Sequence, residues 1–226
     1  MAIQPSGKKT KDLIYRTARN QFYEKGYKKT TLKSISEASG ENTALVSYYF
    51  KSKMNLALEV FNEYMAAVKV VSMYLLEKLT LNDDLMFVTA VEFRIQARNL
   101  QTSPEFLRFY NELNETGFFL KEQFVSVGFF ENINRRYHLH LSKDEIMAVA
   151  VTNYAISASL QSAKAKGLID CSNDFMVRAT YKHFADLLGF DTTFTQSVLE
   201  ESKKAFEKTQ IWIGKDFHVE YKDIEA

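Results

Sequence analysis

Apolar residues recur every three or four positions along most of the chain, which is the period of an amphipathic helix. In the first such segment, from about Lys9 to Lys25, the residues Ile14, Ala18 and Phe22 fall on one helical face. Runs that alternate like a strand are hard to find, and no Asn-Gly or Asp-Gly hairpin turn occurs. Two prolines and eight glycines leave long stretches without a strong helix breaker. The pattern therefore predicts an all-α fold.

Start and stop signals divide the first fifty residues into three helices. Gly26 stands where a left-handed residue would end the first helix. Thr30 or Thr31 is a suitable N-cap for a short second helix. Ser34, rather than a glutamate, follows Thr31 by three positions, so a full capping box is not expected.

A glycine turn joins the second predicted helix to the third. Gly40 allows a tight turn without a Cβ clash, and Asn42 is a good N-cap for a helix from about Thr43 to Phe50. Val46 and Phe50 lie four positions apart and are expected to face inward. Three helices of this kind match a helix-turn-helix. The side of the third helix that would meet a partner carries small or polar residues: Thr43, Ala44, Ser47 and Tyr48.

The helical pattern continues through the rest of the chain. A long helix is expected from about Lys53 to Leu79, after a break at residues 51–52, and Gly117 and Gly128 leave the boundaries within 106–140 open. A loosely held tail is expected over residues 215–226. Further helices are predicted from polar caps: Asn82 or Asp83 to about Asn99, Ser103 onward, Ser142 (with a capping box to Glu145) to Lys166 before Gly167, Ser172 or Asn173 to Gly189, and Thr193 to Trp212.

The charge is unevenly distributed although the net charge is only +1. Residues 1–53 carry eleven basic and four acidic side chains, whereas the remainder carries 18 basic and 24 acidic ones. A basic N-terminal segment followed by an acidic remainder indicates that the N-terminal segment alone binds a polyanion. A basic surface that is merely solvated is the simpler alternative.

Composition favours a cytoplasmic protein. Cys171 is the single cysteine, so an internal disulfide is excluded and a reducing compartment is the simpler interpretation. The N-terminus lacks the apolar core of a signal peptide, and charged residues interrupt every apolar stretch before the roughly 20 residues that span a bilayer. We therefore expect no membrane segment.

The spacing of several residues resembles the N-terminal signature of the TetR family over about residues 10–60. The resemblance implies a helix-turn-helix DNA-binding domain at residues 1–52, here called the head, on a helical ligand-binding and dimerisation domain at residues 53–226, here called the body. It implies a DNA-binding transcriptional regulator, not an enzyme and without a cofactor. Such a regulator would be a repressor that binds a palindromic double-stranded DNA operator as a homodimer and responds to a small-molecule effector. The residues that carry the resemblance are Gly26-Tyr27, Thr30-Thr31-Leu32, Ile35, Gly40, Tyr48-Tyr49-Phe50, Ser52-Lys53 and Leu56.

The resemblance also assigns DNA contacts by position. Tyr49 could instead belong to the core, Lys53 could be a solvated lysine, and the lysines before residue 12 could be a phosphate-binding arm or a solubilising tail. Three residues depart from the family pattern: Ser36 replaces an alanine, Glu41 an apolar residue, and Ser47 a frequent tyrosine. The predicted contacts are Thr31 and Lys33, the helix-three residues Asn42, Thr43, Ala44, Leu45, Ser47, Tyr48 and Tyr49, and Lys53.

The body is rich in phenylalanine and tyrosine, which form either an ordinary core or an apolar pocket with a few polar groups. If Arg94 faces inward, an anionic or carboxylated ligand is favoured. Two helices, about 142–166 and 173–188, are the dimer candidates, because small residues along the first allow close approach. The candidate ligand-binding residues are Phe93, Arg94, Phe109, Phe118, Asn153 and Tyr154.

Two other functions fit parts of the sequence. One is a DNA-binding regulator controlled by a protein partner, which a fully packed body would favour, whereas a large aromatic cavity would favour a small ligand. A helical metal-dependent enzyme would use His138 and His140, with Glu131 and Glu145 near them in sequence. However, residues two apart on a helix point away from each other, and no nucleophile elbow, Walker loop, paired Cys-x-x-Cys or His-Glu-x-x-His motif occurs.

Overall fold

Helices make up most of the protein in the computed structural model, which describes residues 5–78, 84–121 and 124–224. The described helices are α1 (Pro5–Lys29), α2 (Leu32–Ser39), α3 (Thr43–Phe50), α4 (Lys53–Lys78), α5 (Leu85–Thr102), α6 (Pro104–Glu115), α7 (Phe118–Lys121), α8 (Phe124–Arg136), α9 (Lys143–Ala165), α10 (Asn173–Leu187) and α11 (Thr192–Glu207). A two-stranded hairpin follows, with β1 (Thr209–Ile213) and β2 (Val219–Asp223).

The first helix is longer than its apolar pattern predicts. It begins at Pro5 and continues to Lys29, with a kink at Gly26, where φ is 81° and ψ is 173°. The positive φ expected at Gly26 is confirmed, and its non-helical backbone interrupts the helix as predicted, with a short helical segment resuming after it up to Lys29.

The caps of the head follow the sequence closely, with one error. Thr31 accepts a hydrogen bond from the Ser34 backbone nitrogen at 3.0 Å, and the Ser34 hydroxyl accepts one from the Thr31 nitrogen at 3.0 Å. A capping box is therefore present, and the prediction that it is absent was wrong, because a serine hydroxyl can do what glutamate usually does. Gly40 is left-handed as expected (φ 71°), and Asn42 caps α3 as expected, accepting from the Leu45 nitrogen at 2.8 Å.

Helix α5 is the centre of the body, with α4, α6, α10 and α11 packed around it. Its first seven residues, 85–91, are all buried, because neighbours cover every side. The cap of α5 is Asp84, which accepts from the nitrogens of Met86 and Phe87. The predicted caps Asn82 and Asp83 lie outside the described residues. The predicted starts at Ser103, Ser142 and Ser172 are confirmed.

The C-terminal prediction was wrong in two respects. The last helix ends at Glu207, and β1 and β2 pair as an antiparallel hairpin from Thr209 opposite Asp223 to Ile213 opposite Val219. The tail is not loosely held either, since Phe217 is buried and its ring stacks on Phe109 with centroids 4.9 Å apart.

Within the described residues, no helix combines the length and apolar content that crossing a bilayer requires.

Candidate nucleic-acid interface and ligand cavity

Helix α3 lies with its apolar side on the head core and its other side open. Val46 and Phe50 are 0% and 2% exposed, as predicted, whereas Tyr48 is 66% exposed. Thr43 and Ala44, at the start of the helix, are also exposed. Leu45, Ser47 and Tyr49 are half-buried at the margin, and the Tyr49 ring packs between those of Tyr48 and Phe50. The exposed side is thus narrow, short and formed by the first two turns of a helix.

The turn before α3 is held by a residue that departs from the family pattern. Ser36 is buried, and its hydroxyl donates to the Glu41 carbonyl oxygen at 2.6 Å. Gln21 of α1 holds the other end of α2: its amide donates to the Ser34 carbonyl at 2.8 Å, and it accepts from the Ser34 hydroxyl at 2.7 Å. These two roles were not predicted, although the serine at an alanine position was a signal for the first.

A strained residue ends α3. Lys51 has φ 65° and ψ −48°, and the Ser52 nitrogen donates to the Phe50 carbonyl at 2.7 Å, which closes a three-residue γ-turn of the rare positive-φ kind. The Lys51 ammonium lies 5.5 Å from the centroid of the Tyr48 ring. An exposed cation therefore stands beside the open side of α3, a position that sequence analysis did not include among the contacts.

Lys53 has internal partners. Its ammonium donates to the carbonyl oxygens of Tyr27 and Thr30 at 2.9 Å each, and it lies 4.1 Å from the centroid of the Tyr27 ring. Burial lowers the pKa of Lys53. The residue is therefore not merely a solvated lysine, since it fixes the start of α4 to the junction of α1 and α2. An ammonium has three donors, so its predicted phosphate contact stays a prediction that involves the remaining one.

The other predicted contacts lie around α2 and the N-terminal arm. Thr31 and Lys33 are exposed at the first turn of α2, and Lys33 lies 3.9 Å from Glu37 one turn along. Lys8 and Lys9 are exposed, whereas Lys11 lies 3.6 Å from Glu59 and 5.2 Å from the Phe50 ring. Lys11 thus connects α1 to α4 and does not belong to a free arm.

A cavity of about 340 Å³ lies in the body between helices α4 to α10. Four of the predicted ligand-binding residues line it: Phe93, Phe118, Asn153 and Tyr154. Most of its wall is aromatic. The rings are Phe61, Phe93, Tyr110, Phe118, Phe119, Phe129, Phe130, Tyr154 and Phe184.

Arg94 and Phe109 do not line this cavity; Arg94 lines a separate one together with Asp174 and Leu199, and the ligand contacts of both residues stay predictions. The buried guanidinium of Arg94 donates to the Ser202 hydroxyl at 3.2 Å, to Asp174 at 3.1 Å and to the Leu199 carbonyl at 2.7 Å. These bonds join α5 to α10 and α11, and they remove the reason to expect an anionic ligand. Phe109 is buried against Phe217 on the side of α6 that faces the C-terminal hairpin.

One ion pair lies in the cavity wall. The Lys69 ammonium of α4 is 3.1 Å from Oε1 of Glu92 of α5, and the two side chains form a salt bridge. Burial raises the pKa of the Glu92 carboxyl, and Lys69 opposes that rise.

The two histidines considered for a metal site, His138 and His140, are exposed in the segment between α8 and α9, both with positive φ. Within residues 5–78, 84–121 and 124–224, no three or more His, Cys, Asp or Glu side chains gather as a metal site would require.

Comparison with known proteins identifies the head. Residues 14–60 match the family model described as bacterial regulatory proteins of the tetR family. A search of curated proteins gives no match.

Among solved structures, the chain is similar to full-length native TylP, a TetR regulator from Streptomyces fradiae, at 20% identity and a TM-score of 0.45, over 86% of this chain and 98% of that one. It is also similar to the TetR-family protein CprB from S. coelicolor A3(2), at 14% identity and a TM-score of 0.41, over 90% and 99% of the two chains. Both likenesses are remote. Residues 14–60, which include the open side of α3, thus form a DNA-binding domain of the type found in bacterial regulatory proteins of the tetR family.

Proposed function

We propose that this chain is a ligand-responsive repressor that binds a palindromic operator as a homodimer. The observation that carries the proposal is that α3 has one buried and one exposed side. Val46 and Phe50 are buried in the core, while Tyr48 is 66% exposed. A helix of this kind inserts its N-terminal residues into a major groove. In this arrangement Thr43 and Ala44 approach base edges, and Tyr48 contacts a phosphate or a thymine methyl group.

Lysines around α3 would contact the phosphate backbone of the DNA. Lys33 at the start of α2 and Lys51 beside Tyr48 are both exposed. Phosphate contacts of this kind strengthen binding without reading sequence, and each released counterion makes the affinity depend more steeply on salt.

The test of DNA docking uses two matched lysines. Lys33 lies 3.9 Å from Glu37, and Lys203 of α11 lies 3.9 Å from Glu207, so each forms the same weak pair one helical turn apart. A duplex selected from a random library provides the probe, and fluorescence anisotropy gives its affinity at several salt concentrations. We expect Lys33→Ala to lower the slope of log affinity against log salt by about one, and Lys203→Ala to leave it unchanged. Equal slopes for wild type and Lys33→Ala would contradict the docking face.

The cavity supports control by a small ligand over control by a protein partner, because a fully packed body would have no such space. Two helices in its wall also hold the head. Helix α4 begins at Lys53, which is bonded to Tyr27 and Thr30. Helix α6 contributes Tyr110 to the wall, and its Arg108 donates to the Tyr23 carbonyl of α1 at 2.6 Å.

The effect of a ligand follows from these connections. A ligand that separates α4 or α6 from its neighbours moves the two heads of a dimer out of register with the DNA. Thermodynamic linkage then requires that DNA weaken ligand binding by the same factor.

The homodimer is proposed to form through α9 and α10. Seven consecutive residues of α9, 151–157, are only half-buried; three of them, Asn153, Tyr154 and Ser157, line the cavity, and the other four leave part of the helix open to solvent. Near them, Leu168 is 74% exposed and Phe175 is 52% exposed. Exposed apolar side chains beside a half-buried helix are typical of a surface that pairs with its own copy.

A further inference from the structure

We propose that the body cavity takes an organic cation with apolar substituents, such as a quaternary ammonium, whose charge lies between the Glu92 carboxylate and the ring of Phe129. The proposal rests on the proposed function in one respect, because it treats the cavity as the effector site. It adds the chemical class of the effector.

The protein already holds a cation at this point. The Lys69 ammonium is 3.1 Å from Glu92 Oε1 and 5.4 Å from the centroid of the Phe129 ring. A carboxylate together with the electron-rich face of an aromatic ring is the usual setting for an ammonium in an apolar site. A ligand cation would take the place of the Lys69 ammonium.

The two partners of the ion pair differ in how easily they can leave. The Lys69 side chain is 37% exposed and the Glu92 side chain is 13% exposed. Lysine has a flexible four-carbon stem, so its ammonium can return to water, whereas Glu92 is held inside the wall. A ligand cation therefore replaces Lys69 and leaves no buried charge unpaired. A ligand anion would draw Lys69 away and strand the carboxylate, which is costly.

The remaining wall also favours a cation over an anion. The Phe129 ring presents its face to the Lys69 ammonium, and the negative face of an aromatic ring attracts cations and repels carboxylates. Glu92 and Lys69 are the ionic groups in the described wall. The other polar side chains are neutral and can orient a ligand: Asn62, Thr89, Gln96, Asn153 and Ser157.

Exchange of the cation has a consequence for the head. The Lys69–Glu92 pair joins α4 to α5 in the middle of the body. When a ligand cation replaces Lys69, this connection between α4 and α5 is lost, while the N-terminal Lys53 of α4 remains bonded to the α1–α2 junction. The helix whose packing changes is therefore the one that reaches the DNA-binding head.

The experiment compares three small probes by isothermal titration with the full-length protein: benzyltrimethylammonium, its neutral carbon isostere neopentylbenzene, and 4-tert-butylbenzoate. We expect the cation to bind at least about tenfold more tightly than the neutral isostere. Glu92→Gln should remove that advantage, and Lys69→Met should increase it, because the competing ammonium is gone. Glu77→Gln, an exposed carboxylate near the end of α4, is the matched control and should change nothing. Thermal unfolding of each variant verifies that it folds.

The outcomes separate the two proposals. If the neutral isostere binds as tightly as the cation, or if 4-tert-butylbenzoate binds best and loses affinity in Lys69→Met, the cation assignment is overturned while the ligand-responsive function stands. If none of the three probes binds to wild type or to either cavity variant, both the cation assignment and the effector role of the cavity are overturned.

Discussion

Gly26 has a backbone conformation that disfavours any side chain, and a Cβ there would also displace two neighbouring side chains. Its φ of 81° and ψ of 173° fall in a region that essentially only glycine occupies. A Cβ at this position would lie 2.7 Å from Glu112 Oε2 and 3.0 Å from Arg108 Nε. The kink directs the Tyr27 and Thr30 carbonyls toward the Lys53 ammonium, so it prepares the junction between head and body.

Gly26→Ala is therefore expected to destabilise the protein by about 1 to 3 kcal/mol, mainly through backbone strain. Gly128, in the interior of α8, is the matched control: its φ is not positive, and a Cβ there would meet no atom within 4 Å. Gly128→Ala should stabilise by roughly 0.5 to 1 kcal/mol, since alanine is the better helix former. Urea unfolding measures both changes. A Gly26→Ala variant as stable as wild type would mean that this junction tolerates an ordinary helix.

At the scale of elements, the C-terminal hairpin joins the head to the body. The Phe217 ring lies against Phe109 of α6 and, at a centroid distance of 5.4 Å, against Tyr23 of α1. Asp216 accepts a hydrogen bond from Asn20 of α1 at 3.1 Å. At the far end of the hairpin, Asp223 accepts from the Tyr74 hydroxyl at 2.6 Å and pairs with Lys78, both in α4.

Truncation of the buried ring should measure what this hairpin contributes. Phe217→Ala is expected to cost about 3 to 5 kcal/mol, because it opens a void between α1, α6 and the hairpin. Ile224→Ala is the control, since that side chain is 57% exposed just beyond β2 and should change stability by less than about 0.5 kcal/mol. Urea unfolding of both variants measures the two losses in the free energy of unfolding. Equal small losses for both variants would show that the hairpin is dispensable for the fold.

The C-terminal hairpin was not predicted from the sequence, whereas several helix caps were. The caps at Asn42, Ser103 and Ser142 depend on interactions between neighbouring residues, so the local sequence predicts them. The strand from Thr209 to Ile213 has only five residues, too few for its alternation to stand out from the helix before it. Its stability depends on contacts with distant elements, and distant contacts are not visible in local periodicity.

The residues of the candidate site fall into the same two groups: some could be predicted from local spacing, and the others depend on distant contacts. Val46 and Phe50 were predicted to face inward, because their spacing on one short helix decides the question. The direction of Arg94 depends on Asp174, Leu199 and Ser202, which lie 80 to 108 positions away. Helix α5 is also covered on all sides at its start, so its periodicity could not distinguish a cavity face from a packing face.

At the scale of the whole molecule, the basic head and the acidic body give the chain a polarised electrostatic field. Eleven basic residues against four acidic ones lie within residues 1–53, and the rest carries an excess of acid. Such a field orients the head toward DNA and disfavours contact between the body and phosphates. Two copies joined through their bodies would present two heads in the same direction, and two recognition helices one DNA turn apart, about 34 to 36 Å, match a palindromic site.

The proposed dimer surface can be tested by charge insertion at exposed apolar positions. Leu168→Glu and Phe175→Glu should leave each protomer folded, since the two side chains are 74% and 52% exposed, but a carboxylate buried in the interface should dissociate the dimer. Val70→Glu is the control, because Val70 is 62% exposed on α4 and outside the proposed surface.

Sedimentation velocity at operator-binding concentrations should then give monomers for the Leu168→Glu and Phe175→Glu variants and dimers for Val70→Glu. Operator affinity should fall with dissociation, because each half-site alone supplies one recognition helix. Dimers that persist in both α9–α10 variants but dissociate in Val70→Glu would move the interface to α4, and a monomeric wild type would contradict the dimer itself.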